Sequence, residues 1–153
     1  MNYILMSIRA RYAELILSGR KTLEIRKTAQ KGKRETCEYT VLLYESKRDG
    51  GRGLIVGSFI CRSIQPVEKM DLLEVERRSC LCREDMEAYA ERPQRVSVKS
   101  QEKGWDIYAW SVENPVRFEK PMPMQLVGVS CPPQSWRTLK KSQNLKIGGA
   151  PNE

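Results

Sequence analysis

The sequence of 153 residues contains no histidine. That removes the side chain most often used as a general base, a near-neutral pH switch or a metal ligand. It also excludes a Cys-His nucleophilic pair outright. Cysteine is present, but in no pattern that would replace it. Cys37, Cys61, Cys80, Cys82 and Cys131 are an odd number in a chain too long to need disulfide staples. Cys80-Leu81-Cys82 is too tightly spaced for a C-x2-C zinc knuckle, and no second pair completes one. Small, inert, reduced thiols are the expectation, with no metal and no cofactor implied. Aromatics are only 7% of residues, so an extended platform for stacking bases is disfavoured and one or two rings must serve. Long apolar runs are missing too. None approaches the roughly 20 residues that span a bilayer, and Met1–Met6 lacks the basic start and long apolar core of a signal peptide. The chain is expected to be cytoplasmic, without a membrane partner.

What the sequence does have is positive charge. Its 27 Lys and Arg against 19 Asp and Glu leave a net charge of +8. Such a balance favours polyanionic partners, because phosphates neutralised by cations release counterions; the alternative is simple solubility. A hydrophobic content of 40% is that of a globular chain, and the length suits one domain with a buried core.

The most legible stretch is Ser7–Lys27, SIRARYAELILSGRKTLEIRK. Tyr12, Leu15 and Ile16 recur at i, i+3 and i+4, with Leu17 widening the stripe, which predicts a short helix. Gly19 is placed to end it in the left-handed conformation, and Arg20 and Lys21 put cations beside its last carbonyls. The period then changes to two. Leu23 and Ile25 fall on one side of a predicted strand and Thr22, Glu24 and Arg26 on the other. Lys21, Glu24 and Arg26 are thereby brought close together, as a candidate site or as a solvated face carrying a weak surface ion pair.

Downstream, Tyr39–Tyr44 is a continuous apolar run suited to a strand buried on both faces. Lys47–Gly53 reads as a basic hairpin turn, and Leu54–Ile64 as a strand with a bulge position at Gly57 and a stop at Pro66. Short helices are expected at Met70–Val75 and around Asp85–Ala90, the latter with Leu81, Met86 and Tyr89 on one face. The basic segments Thr28–Thr36 and Arg92–Gly104 read as loops. In Trp105–Phe118 the set Asp106, Tyr108, Trp110 and Val112 alternates with Ile107, Ala109 and Ser111. Pro115, Pro121 and Pro123 then impose edge-like, extended geometry. Leu126–Val129 reads as a short strand and Trp136–Leu139 as a closing helical turn. Residues 140–153 are polar and expected to fray. Five or six strands with two or three short helices make an α+β fold around a small barrel.

The segment Ile16-Leu17-Ser18-Gly19-Arg20-Lys21-Thr22-Leu23-Glu24-Ile25-Arg26 resembles the N-terminal signature of ASCH domains, a group of the PUA-like superfamily. Tyr44-Glu45-Ser46-Lys47, Ile55-Val56-Gly57-Ser58-Phe59 and Pro132-Pro133-Gln134-Ser135-Trp136 extend the resemblance in order, over residues 1–139. It implies a small mixed β-barrel of PUA-like type with flanking helices and a cleft for nucleic acid or a nucleoside. The partner implied is RNA or single-stranded nucleic acid, or a nucleotide.

In such a cleft Lys21 would hold a phosphate or act as a base, Glu24 would accept from a base amino group, and Arg26 would pair with a phosphate or a carbonyl. Ser46 and Lys47 would line the same cleft from the neighbouring strand, with Ser135 a weaker candidate. Tyr44 reads equally as a cleft or a core residue, and Tyr108 or Trp110 as stacking or core rings. The resemblance also carries an enzymatic alternative, because some relatives are metal-independent hydrolases of acetylated cytidine or of RNA. Lys21, with Tyr44, would be catalytic in that case. The nucleophilic threonine of the amidohydrolases is replaced here by Glu24, and Glu76 matches their glutamate only approximately.

Overall fold

The computed structural model describes residues 2–30, 37–91 and 106–140. In chain order the elements are β1 (Asn2–Ile8), α1 (Ala10–Leu17), β2 (Leu23–Arg26), β3 (Tyr39–Glu45), β4 (Leu54–Cys61), β5 (Ile64–Pro66), α2 (Leu72–Ser79), α3 (Arg83–Glu91), β6 (Tyr108–Ser111), β7 (Glu113–Met122) and β8 (Trp136–Thr138). The α+β class and the three short helices are as expected. The strands number eight, and among the described residues they form two sheets, ordered β7-β4-β3-β1-β8 and β2-β6-β5, rather than one closed ring. Several of these strands are three or four residues long, below the length at which alternation is readable.

The larger sheet is built on a parallel pair. β1 lies beside β3 in register from Asn2↔Tyr39 to Ile8↔Glu45, and α1 and β2 form the crossover that parallel pairing requires. Alternation along β3 serves two cores. Val41 and Leu43 join Ile4, Met6, Ile16, Phe59 and Trp110, while Leu42 and Tyr44 join Leu5, Ile55, Met124 and Val127 on the opposite face. A third cluster beneath the small sheet gathers Leu23, Ile25, Val75, Met86, Ile107 and Ala109, with Leu81 and Tyr89 packed on it. The two expected helical faces therefore meet one core.

Leu54–Ile64 is not one strand. The chain breaks at Arg62-Ser63, whose N–H groups both donate to Ser111 Oγ at 3.0 Å, and β5 crosses into the small sheet. Gly57 sits at a register shift opposite β7. A Cβ there would lie 2.4 Å from the Val116 carbonyl oxygen and 2.6 Å from Leu17 Cδ2, so only glycine admits this approach of sheet and helix.

Two local expectations are corrected. Leu126–Val129 is not a strand, because Met124–Val127 is a turn of 3-10 helix. Pro123 precedes it, Gly128 at φ 75° ends it, and Met124 and Val127, three residues apart, are both buried. Trp136–Thr138 is a strand rather than a helical turn, antiparallel to β1 with Ile4↔Thr138 and Met6↔Trp136. Pairing with an otherwise open strand overrides the weak local preference of three residues. The edge-like character expected near Pro115 and Pro121 is seen, since β7 borders the large sheet. The expectations for residues 31–36, 92–105 and 141–153 lie outside the described residues. Among the described residues, no helix is long and apolar enough to cross a membrane.

Candidate functional site

Gly19, at φ 82°, turns the chain out of α1. The N–H groups of both Arg20 and Lys21 then donate back to the Leu15 carbonyl, at 3.0 and 2.9 Å. This closes the helix end and aims Lys21 inward instead of along the surface. Thr22 is held by α2, donating its N–H to the Arg78 carbonyl at 2.8 Å and accepting from Arg78 Nε at its own hydroxyl at 3.1 Å. β2 follows, pairing with β6 so that Glu24 opposes Trp110 and Arg26 opposes Tyr108. Leu23 and Ile25 take the other face into the third core.

The predicted alternation is present, but its polar face is not solvated. Lys21 is 1% exposed, Glu24 7% and Arg26 8%. Lys21 Nζ lies 3.7 Å from Glu24 Oε2, and Arg26 Nε 3.3 Å from Glu24 Oε1. One carboxylate therefore serves two cations in a dry setting, where Coulomb attraction is far stronger than at a surface. The surface ion-pair alternative does not hold here.

Each cation is also anchored to main chain. Lys21 Nζ donates to the carbonyl of Ser79, the last residue of α2, beyond which Cys80 adopts φ 59°. Lys21 thus supplies the positive charge that a helix C-terminus attracts. Arg26 Nη2 donates to the Ser7 carbonyl at 2.8 Å, and its Nη1 to Ser135 Oγ at 3.3 Å. The loop before β8 clamps the same spot. Ser7 Oγ donates to the Pro133 carbonyl at 2.6 Å and Ser7 N–H to the Ser135 carbonyl at 2.9 Å. Two atoms of the trio are left over. Glu24 Oε2 and Arg26 Nε are buried without a hydrogen-bond partner, although ion-paired in charge. Such orphans are uncommon in native interiors and mark strain, function or a missing partner.

The other expected residues fall one step away. Tyr44 pairs in register with Ser7, whose carbonyl holds Arg26, yet its ring lies in the second core cluster with Leu5 and Leu42. Ser46 follows β3, its N–H donating to the Ile8 carbonyl at 2.8 Å. Lys47 is exposed, and its side chain lies along Gly53. Neither hydrogen-bonds or ion-pairs with the trio. Trp110 is a core ring, its indole N–H donating to the Thr28 carbonyl at 3.2 Å. Trp136 packs edge-on to it at 5.3 Å. Glu76 lies within α2, among residues that pack on the small sheet. Ser7, Ser79 and Tyr12, whose ring centroid is 5.3 Å from Lys21 Nζ, join the site without advance notice. The first two act through backbone carbonyls, which carry no sequence signal, and Tyr12 reads only as part of a helix stripe.

A family model described as the ASCH domain matches residues 6–122. The chain belongs to the ASCH domain family. This match runs from within β1 to the end of β7 and includes Lys21, Glu24 and Arg26. Among solved structures, the ASCH protein of Zymomonas mobilis superposes with a TM-score of 0.68 at 17% identity, covering 92% of this chain and 90% of that one. A tyrosine-to-phenylalanine mutant of the same protein gives 0.68 at 16%, covering 94% of each chain. A serine-to-alanine mutant gives 0.67 at 16%, covering 92% and 90%. At these identities the likeness is one of fold. No curated protein sequence matches the chain.

Proposed function

We propose that this ASCH domain binds single-stranded RNA, taking a nucleotide at the Lys21–Glu24–Arg26 trio. The observation that carries this reading is the pair of orphan atoms. Glu24 Oε2 lacks a donor and Arg26 Nε lacks an acceptor, and a nucleobase edge entering as the Ser135 loop that covers Arg26 moves aside offers both, a ring or amino N–H beside a carbonyl or ring nitrogen. Glu24 accepts from the base amino group, Arg26 donates to the carbonyl, and Lys21 adds charge for a phosphate. The net charge of +8 supplies the sequence-independent attraction to the backbone. The family is often linked to RNA binding, which supports the same reading.

The test is affinity for a short oligoribonucleotide as a function of salt. Contact with about five phosphates gives a slope of log K against log salt of roughly −3.5 for single strands. A flat dependence, or equal competition by polyglutamate of the same charge, refutes the proposal.

A second reading is supported by the buried amine beside a carboxylate, with Lys21 Nζ 3.7 Å from Glu24 Oε2. In this reading the chain is a metal-independent hydrolase of RNA or of a modified nucleoside, with Lys21 central; Tyr44, whose ring lies in the second core cluster, takes no part. Lys21→Ala then abolishes turnover in a protein that still folds. Turnover that survives the change removes Lys21 from the chemistry.

A further inference from the structure

Two cations approach one aromatic ring beside the trio. Lys21 Nζ, buried, stands 5.3 Å from the centroid of Tyr12, and the Arg11 guanidinium carbon stands 4.8 Å from the same centroid. Arg11 is exposed, and its Nη2 donates to the Tyr12 hydroxyl at 3.2 Å. The ring itself is half-buried, one side resting on the first core cluster. Trp110 offers no comparable surface. It is fully enclosed with its N–H committed to Thr28, and Trp136 is turned edge-on against it with its N–H given to Thr28 Oγ1 at 2.9 Å.

We infer that Tyr12 is the wall on which a bound, unpaired nucleobase stacks, with Arg11 as an exchangeable cover on it. A guanidinium is flat and stacks on aromatic faces as a base does. Here the guanidinium is held at the hydroxyl end of the ring, and the long, exposed side chain can lift from Tyr12 and close over a newcomer. Lys21 ties this wall to the orphan carboxylate. The same Nζ that stands 5.3 Å from the ring centroid lies 3.7 Å from Glu24 Oε2, so one buried ammonium connects the Tyr12 ring to the trio. The ligand class is single-stranded nucleic acid, because bases inside a duplex have no free face. The contact is tolerant of base identity, since every base has a π-face.

The inference rests on the RNA-binding reading above, and the experiment separates the two. The full chain is titrated with oligoadenylate and with an abasic ribose-phosphate oligomer of equal length. Loss of the base weakens binding by about five- to one-hundred-fold, the range for one stacked base. Tyr12→Leu weakens oligoadenylate by a similar factor, and Tyr12→Phe does not. Equal affinity of the wild type for both oligomers overturns the stacking role together with base-edge recognition at the trio, leaving only attraction to the phosphate backbone. A folded Tyr12→Leu variant that binds oligoadenylate as tightly as the wild type overturns the stacking role alone and leaves RNA binding standing. Failure of the wild type to bind either oligomer overturns both readings together. The abasic comparison uses the unaltered protein, so equal affinity refutes the stacking role even if Tyr12→Leu fails to fold.

Discussion

Replacing Glu24 with glutamine tests the buried trio most directly. The amide keeps the shape of the carboxylate and removes only its charge. Lys21 and Arg26 stay where they are, tied to the carbonyls of Ser79 and Ser7, but now as two interior cations without the anion that stood 3.7 and 3.3 Å from them. Removing one partner of a buried pair costs about 3–5 kcal/mol. The surviving hydrogen bonds to carbonyls, and the dipole of the new amide, put this case at the lower end, about 3 kcal/mol. At about 2–4 °C per kcal/mol for a domain of this size, the midpoint of thermal unfolding falls by about 6–12 °C. Urea unfolding followed by circular dichroism should show an earlier midpoint with an unchanged slope. Adding Lys21→Met removes one of the two stranded cations, so the double variant should lose less than the sum of the single losses. A Glu24→Gln variant within about 1 kcal/mol of the wild type, the range of an exposed pair, would mean that water reaches the trio and the burial argument is wrong.

Three other outcomes follow from local geometry. Burial raises the pKa of Glu45, but side-chain and backbone hydrogen bonds from Arg52 outweigh it and hold the carboxyl below its ordinary value of 4.5. The stability it contributes is present above that value and lost as pH falls through the lowered one, so Glu45→Gln should flatten this part of the acid limb of a stability-versus-pH curve. Burial also pushes the Cys61 thiol up to about 12. Alkylation at about pH 8 should reach the exposed Cys82 and Cys131 in the native state and Cys61 only on unfolding. Gly57→Ala should lower stability by about 1–3 kcal/mol in urea, because the new methyl meets the backbone of Val116 and not merely the movable Leu17 side chain. An unchanged midpoint would show that β7 yields freely at that point.

The segment from Tyr12 to Arg26 could be read in advance because every signal in it is local. The helix stripe, the left-handed glycine and the change of period each depend on neighbours within a turn or two. The alternation also placed Glu24 and Arg26 on one face. It could not say what covers that face, because the cover is Ser7 and Ser135, the latter 109 residues from Arg26. Lys21 shows the same limit. Its inward aim follows from Gly19, but its seat on the end of α2 depends on a carbonyl 58 residues away. The expected helical turn at Trp136–Leu139 and strand at Leu126–Val129 fail for a related reason. Runs of three or four residues have too little period to declare themselves, and the strand or turn they adopt is decided by the partner they meet.

The position of β1 in its sheet also constrains the order of assembly. This first strand lies between β3 and β8, so one of its flanks stays open until residues 136–138 are available, and the same late segment brings the Ser135 oxygens to Arg26. During synthesis the charged trio must therefore wait, partly assembled, for nearly the whole of the described chain to emerge. A version cut before residue 135 would lose the sheet margin and the Arg26 clamp in one stroke, leaving a hydrophobic N-terminal strand with an unpaired edge on which another chain could dock.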